Sequence, residues 1–176
     1  IDEITRGPGM ILVYVFSAIL LTLSLVIQGH TSFDVIRIAG VKPDLIFIVV
    51  VYLSYSFGSF YGEVTGFISG LFHDAVSNSP LGLLTLPKVI VAFIVGRMGR
   101  SVVHGGIPTI LILLFVASLI KGVITLILAG LFHTASISAV FHVIIPEAFY
   151  NALLAPPLFA LFDRLFEKEL EREGNF

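Results

Sequence analysis

The sequence predicts an all-α polytopic membrane protein, one bundle of six transmembrane helices filling residues 1–176 as a single domain. Three observations carry that prediction. Mean hydropathy is +1.04 and charged residues make up 12% of the chain, well under the usual share for a soluble domain. Apolar runs recur along the whole length, each near the roughly 20 residues that cross a hydrocarbon core. Gly58, Gly62, Gly66 and Gly70 stand four residues apart inside one such run, and that spacing follows one face of a helix. In a soluble helix these glycines would cost about 1 kcal/mol each relative to Ala. In a membrane they let another backbone come close, within the bundle or on a partner.

The first span covers about residues 9–28, after the break at Gly7-Pro8-Gly9. It is too long for a signal-peptide core and has no small-residue cleavage site, so it reads as a retained helix behind a trimmed start at Ile1. The mixed stretch from Gly29 to Lys42 suits either a segment on the membrane surface or an ordinary loop. The second span, about 43–57, opens on Pro43 with Asp44 in its first turn, where the positive end of the macrodipole favours an acid. It is short for the membrane, so its neighbours or local thinning must shield its ends. The third span, about 60–77, carries the glycines and ends with Asp74 before the turn Asn78-Ser79-Pro80-Leu81-Gly82. Spans four to six cover about 81–98, 107–132 and 140–162, with a charged tail over 163–176 that reads as a solvated helix end. Gly70–Ala75 is echoed by Gly130–Ala135, a match that either duplication or biased composition explains.

Six spans put both termini on one side. Arg6, Arg97, Arg100, Arg164, Lys168 and Arg172 share that side, against Arg37 and Lys42 on the other, so the positive-inside rule places both ends in the cytoplasm.

Ionisable residues inside a membrane are costly and face the bundle interior. Asp74, Lys88, Lys121 and Glu147 fall in the outer half and balance in charge, which predicts Glu147 paired with Lys88 or Lys121 and Asp74 nearby. Such a cluster is either a small polar pocket or a buried ion pair that fixes helix register. Pro87 and Pro146 each precede a charged residue. Inside a helix they would free carbonyls that need water or a partner. Glu63 falls near the inner interface and needs no special role. His30, His73, His133 and His142 lie toward the outer side without a zinc-type spacing, so no metal and no cofactor is expected. The chain has no cysteine, hence no thiol nucleophile or disulfide. It carries no P-loop or GxSxG motif, and a net charge of -2 gives no sign of a nucleic-acid partner. No enzyme is predicted.

Pro43-Asp44-Leu45, the glycine ladder ending in Gly70-Leu71 with Asp74, and Ser79-Pro80-Leu81-Gly82 together resemble the bacterial rod-shape-determining MreD family. The resemblance covers the whole chain, although the last two spans match by hydropathy alone. His73 and Lys88 are more polar than the family pattern. The resemblance implies a fold like the substrate-binding S components of energy-coupling-factor transporters. It implies a scaffold in the bacterial inner membrane that binds MreC, a single-span coiled-coil protein, and through it MreB, RodA and a penicillin-binding transpeptidase. A vitamin-binding S component is the alternative, but the chain has no Trp and few aromatics near the outer turns.

Overall fold

The structure is a computed structural model that describes residues 8–30, 40–102, 106–131, 138, 140–167 and 171. It is an all-α bundle: α1 (Pro8–Gly29), α2 (Leu45–Phe57), α3 (Ser59–Val76), α4 (Thr85–Val102), α5 (Ile107–Leu131) and α6 (Ile145–Leu165), the last preceded by a π-helical stretch at Val140–Ile144. The segment 31–39, with Arg37, lies outside the described residues. So do Arg6, Lys168, Arg172 and residues 132–135 of the Gly130–Ala135 echo, including His133.

The bundle is built around α2. Every residue from Ile46 to Ser56 is buried, as befits a helix that is apolar on all sides. At 13 residues it rises only about 20 Å. It touches each of the other five helices, so they supply the shielding that its short length demands. Among the described residues, three stretches are long and apolar enough to cross a membrane: Leu12–Gly29, Ile107–Leu131 and Phe141–Leu165. α3 and α4 are more polar, and they bury the charged Asp74 and Lys88 together with small residues such as Gly62, Gly66 and Ser69. Their outer faces expose Phe60, Phe67, Phe72, Phe93 and Met98, which hydrocarbon rather than water would cover.

The glycine ladder is internal. A Cβ on Gly62 would overlap the Ser54 hydroxyl and lie 2.8 Å from Ser54 Cα, on α2. A Cβ on Gly70 would sit 2.6 Å from Thr85 Cα, where α4 begins. Gly66 is roomier, its nearest neighbour being Val50 Cγ1 at 3.3 Å. Gly58 does a different job: at φ 90° it makes the corner between α2 and α3, a backbone state that L-residues rarely adopt. The sequence pattern hides Gly96, which is pressed against the backbone of Ser59 and Gly58, and Gly122, which meets the Ile144 side chain.

Helix starts differ from the expected ones for local reasons. α2 starts at Leu45, with Asp44 as its N-cap: Oδ1 accepts the Phe47 N–H at 3.0 Å, so Asp44 precedes the first turn instead of sitting in it. α4 starts at Thr85, because residues 81–84 belong to the turn, and it breaks at Gly99 (φ 53°, ψ 172°). Pro87 is therefore the third residue of α4 and Pro146 the second of α6. Pro87 lies in the first turn of its helix, where no helical N–H is needed, so it frees no carbonyl, whereas Pro146 follows directly on the π-helical stretch Val140–Ile144. The prolines that do lie inside a helix are Pro156 and Pro157 of α6.

At the end of the bundle away from Asp44, aromatic rings fill the core. Tyr52 packs against Phe159 and Phe162, with ring centroids 5.1 Å away in each case, and its hydroxyl donates to Asp163 Oδ1 at 3.0 Å.

The glycine contacts set a graded expectation. Gly70→Ala must displace the α4 backbone and should cost about 1–3 kcal/mol, the usual price of overpacking. Gly66→Ala should stay within about 1 kcal/mol, because Ala's better helix propensity offsets a mild contact. Gly66→Leu should prevent assembly. Thermal unfolding of the purified variants in one detergent checks the order; equal effects of the two alanines would contradict it.

Candidate functional site

Four charged residues, Asp44, Lys88, Lys121 and Glu147, meet at one point, to which all six helices contribute. Asp44, at the start of α2, is the hub. Its Oδ2 accepts from Lys121 Nζ at 2.8 Å and lies 3.5 Å from Lys88 Nζ. Its Oδ1 takes the Phe47 N–H and, at 3.5 Å, Gln28 Nε2 from α1. The Gln28 carbonyl in turn accepts the Ile46 N–H at 3.4 Å. Lys121, from α5, also pairs with Glu147 of α6 and lies 4.8 Å from the centre of the Phe47 ring. Lys88, from α4, reaches His73 Nδ1 of α3 at 3.0 Å.

Asn151 of α6 closes the arrangement. Its Oδ1 accepts the Asp44 N–H at 2.9 Å, and its Nδ2 donates to Ser118 Oγ at 3.1 Å and to Glu147 Oε1 at 3.5 Å. Asn151 is fully buried, and Lys88 is 1% exposed. Two lysines face two carboxylates, so the junction is neutral with His73 uncharged. A buried charge is tolerable only when it is paired and its remaining hydrogen-bonding capacity is met. That condition holds here: among the described residues no buried side-chain nitrogen or oxygen lacks a partner.

Asp74 lies apart from these ion pairs and has its own task. Oδ1 accepts from Ser79 Oγ at 3.0 Å and from the Leu84 N–H at 2.8 Å. Oδ2 accepts from the Gly82 N–H at 2.9 Å and from Thr85 Oγ1 at 2.6 Å. One carboxylate thus ties the end of α3, the turn and the first residue of α4, capping α4 from a neighbouring helix. Gly82, at φ 96°, takes the left-handed conformation that aims its N–H at Asp74. Pro80 accepts the Leu83 N–H at 3.0 Å through its carbonyl. Asp74, Pro80 and Gly82 are therefore parts of one turn.

Of the cluster expected from sequence, the structure brings Lys121 and Glu147 together and places Lys88 on Asp44 and His73. Gly62, Gly66 and Gly70 serve the contacts of α3 with α2 and α4 described above. Gln28, Asp44, His73, Ser118 and Asn151 were the members that sequence reasoning missed. Their spacing held a clue: Asn151 follows Glu147 by one helical turn and Ser118 precedes Lys121 by three residues, so each pair shares a helix face. Glu63 is half-buried on α3. No group of three or more His, Asp or Glu side chains among the described residues could hold a metal ion.

Apolar grooves lie between helices among the described residues. One, of about 300 Å³, runs between α1 and α3 over Ile46; another, of about 290 Å³, runs between α4 and α5, from Val91 to Met98 and from Thr109 to Ile120.

The family model for rod shape-determining protein MreD matches residues 9–169, nearly the whole chain. No curated protein matches, and no solved structure does.

The junction makes unequal demands on its acids. Asp44→Asn leaves two lysines facing Glu147 alone and should cost about 3–5 kcal/mol, as when a buried pair loses one partner. Glu147→Gln should cost less, because Lys121 keeps Asp44 and Glu147 is only half-buried. Asp74→Ala leaves the N–H groups of Gly82 and Leu84 without their acceptor and should cost about 1–3 kcal/mol. Chemical or thermal unfolding in micelles measures all three; an Asp44 variant as stable as the Glu147 variant would remove Asp44 from the centre.

Proposed function

The chain belongs to the MreD family of rod shape-determining proteins, and from that premise we propose that it acts as a non-enzymatic membrane scaffold that docks the single-span protein MreC. Its role is in rod shape determination, and it is a membrane protein. In this proposal MreC passes the connection on to MreB filaments and to RodA with its penicillin-binding transpeptidase, linking the cytoskeleton to peptidoglycan synthesis. The bundle sits in the bacterial inner membrane with both termini in the cytoplasm.

The observation that carries the proposal is the closure of the polar junction. Its side chains satisfy one another, so it makes no unmet demand that a polar metabolite would fill. The grooves between helices are apolar, as contact with another span requires. Orientation rests on the basic residues Arg97 and Arg164, near the Tyr52 end of the bundle, by the positive-inside rule.

Two experiments test this. Co-expressed with MreC, solubilised in mild detergent and purified through a tag on this chain, the two proteins should elute together in size exclusion. Separate elution would defeat the MreC proposal, and a vitamin recovered with the purified chain would favour the transporter alternative. Because the chain has no cysteine, single cysteines report the side of the membrane. Ser77→Cys should react with an impermeant maleimide in intact spheroplasts, and Gly106→Cys only after permeabilisation. The reverse pattern would invert the bundle.

A further inference from the structure

The contact between Lys88 and His73 constrains a proton. A lysine ammonium has three hydrogens and no lone pair, so the ring nitrogen 3.0 Å from Lys88 Nζ must be the acceptor. His73 is then neutral, with its hydrogen on Nε2. A protonated ring has no acceptor to offer and would set a second cation against Lys88.

The surrounding charges leave such a cation without a free counter-ion. From the start of α2, Asp44 faces His73, but its oxygens already take Lys121, the Phe47 N–H and Gln28, with Lys88 at 3.5 Å. Lys88 from α4 and Lys121 from α5 add positive charge, and Glu147 of α6 is paired with Lys121. On α3 itself, the neighbouring Asp74 is held by the turn and Thr85. His73 itself is only half-buried, so water can deliver the proton.

We propose that His73 is a proton-operated release between α3 and α4: neutral, it holds Lys88 and closes the junction; protonated, it lets go of Lys88 and loosens the α3–α4 contact beside the Gly70–Thr85 seat. The stability that the neutral ring contributes is full above the range where imidazole in the unfolded chain titrates, near pH ~6.5, and declines as the pH falls below it.

Thermal unfolding of the full chain in detergent from pH 7.5 to pH 5 tests the release. The wild type should lose about 3–6 °C more than a His73→Asn variant, equivalent to one or two kcal/mol. The asparagine Oδ1 can still accept from Lys88 but does not titrate. His30→Gln and His142→Gln should keep the wild-type acid loss. A wild type with no acid loss, or a His73→Asn protein with the same loss, overturns the proposal. If His73→Asn fails to fold, ¹⁵N spectra of imidazole-labelled wild type decide the matter. They should show an unprotonated His73 Nδ1 at pH 7.5 and ring protonation by pH 5. Hydrogen on Nδ1 at neutral pH, or a ring still neutral at pH 5, overturns the proposal.

Discussion

A charge inside a membrane protein has to find its opposite, and this fold is arranged so that four of them do so at one place. Lys88, Lys121, Asp44 and Glu147 come from four different helices. Gln28, His73 and Asn151 bring in the remaining ones or complete the hydrogen bonding. Burying such a set adds little net stability compared with an apolar core, because desolvation offsets most of the attraction. What the set supplies is position. A helix that contributes to the junction must break one of these bonds to rotate or slide.

The glycines supply the complementary constraint. Directional bonds work only if the backbones come within reach, and α3 does so on both sides, at Ser54 of α2 and at Thr85 of α4. The same closeness lets the Asp74 carboxylate reach across to the first residues of α4. Packing and polar bonding are therefore not separate layers here. Side-chain volume is removed where helices cross, and the short polar groups at the crossing points then meet. The far end of the bundle uses the opposite means, large rings around Tyr52, whose hydroxyl donates to Asp163.

Much of this was legible in the sequence, and the rest was not for identifiable reasons. Hydropathy gave the membrane class and the order of the helices, because a long apolar run has few alternatives. The four-residue spacing of Gly62, Gly66 and Gly70 marked a close-packed face, but spacing alone does not say which helix meets it. The balance of two lysines with two acids pointed to an ionic centre. It put Asp74 near that centre without saying what Asp74 binds, because an acid beside a turn can meet backbone N–H groups as well as cations, and only the fold of residues 78–85 decides between them. Asp44 looked like a helix-start residue, and so it is. Its second role as the acceptor for Lys121 depends on a contact 77 residues away in sequence, which no local pattern carries. Pro87 suggested an interrupted helix only because the start of α4 was placed too early.

The order in which the junction's charges occur along the chain has a consequence of its own. Read from the N-terminus, they come as Asp44, Lys88, Lys121 and Glu147: an acid, two bases, an acid. During co-translational insertion the running total of these groups never departs from neutrality by more than one unit. Lys88 arrives to meet a waiting carboxylate. Lys121 is the only late surplus, and the last hairpin cancels it as Glu147 emerges from the ribosome.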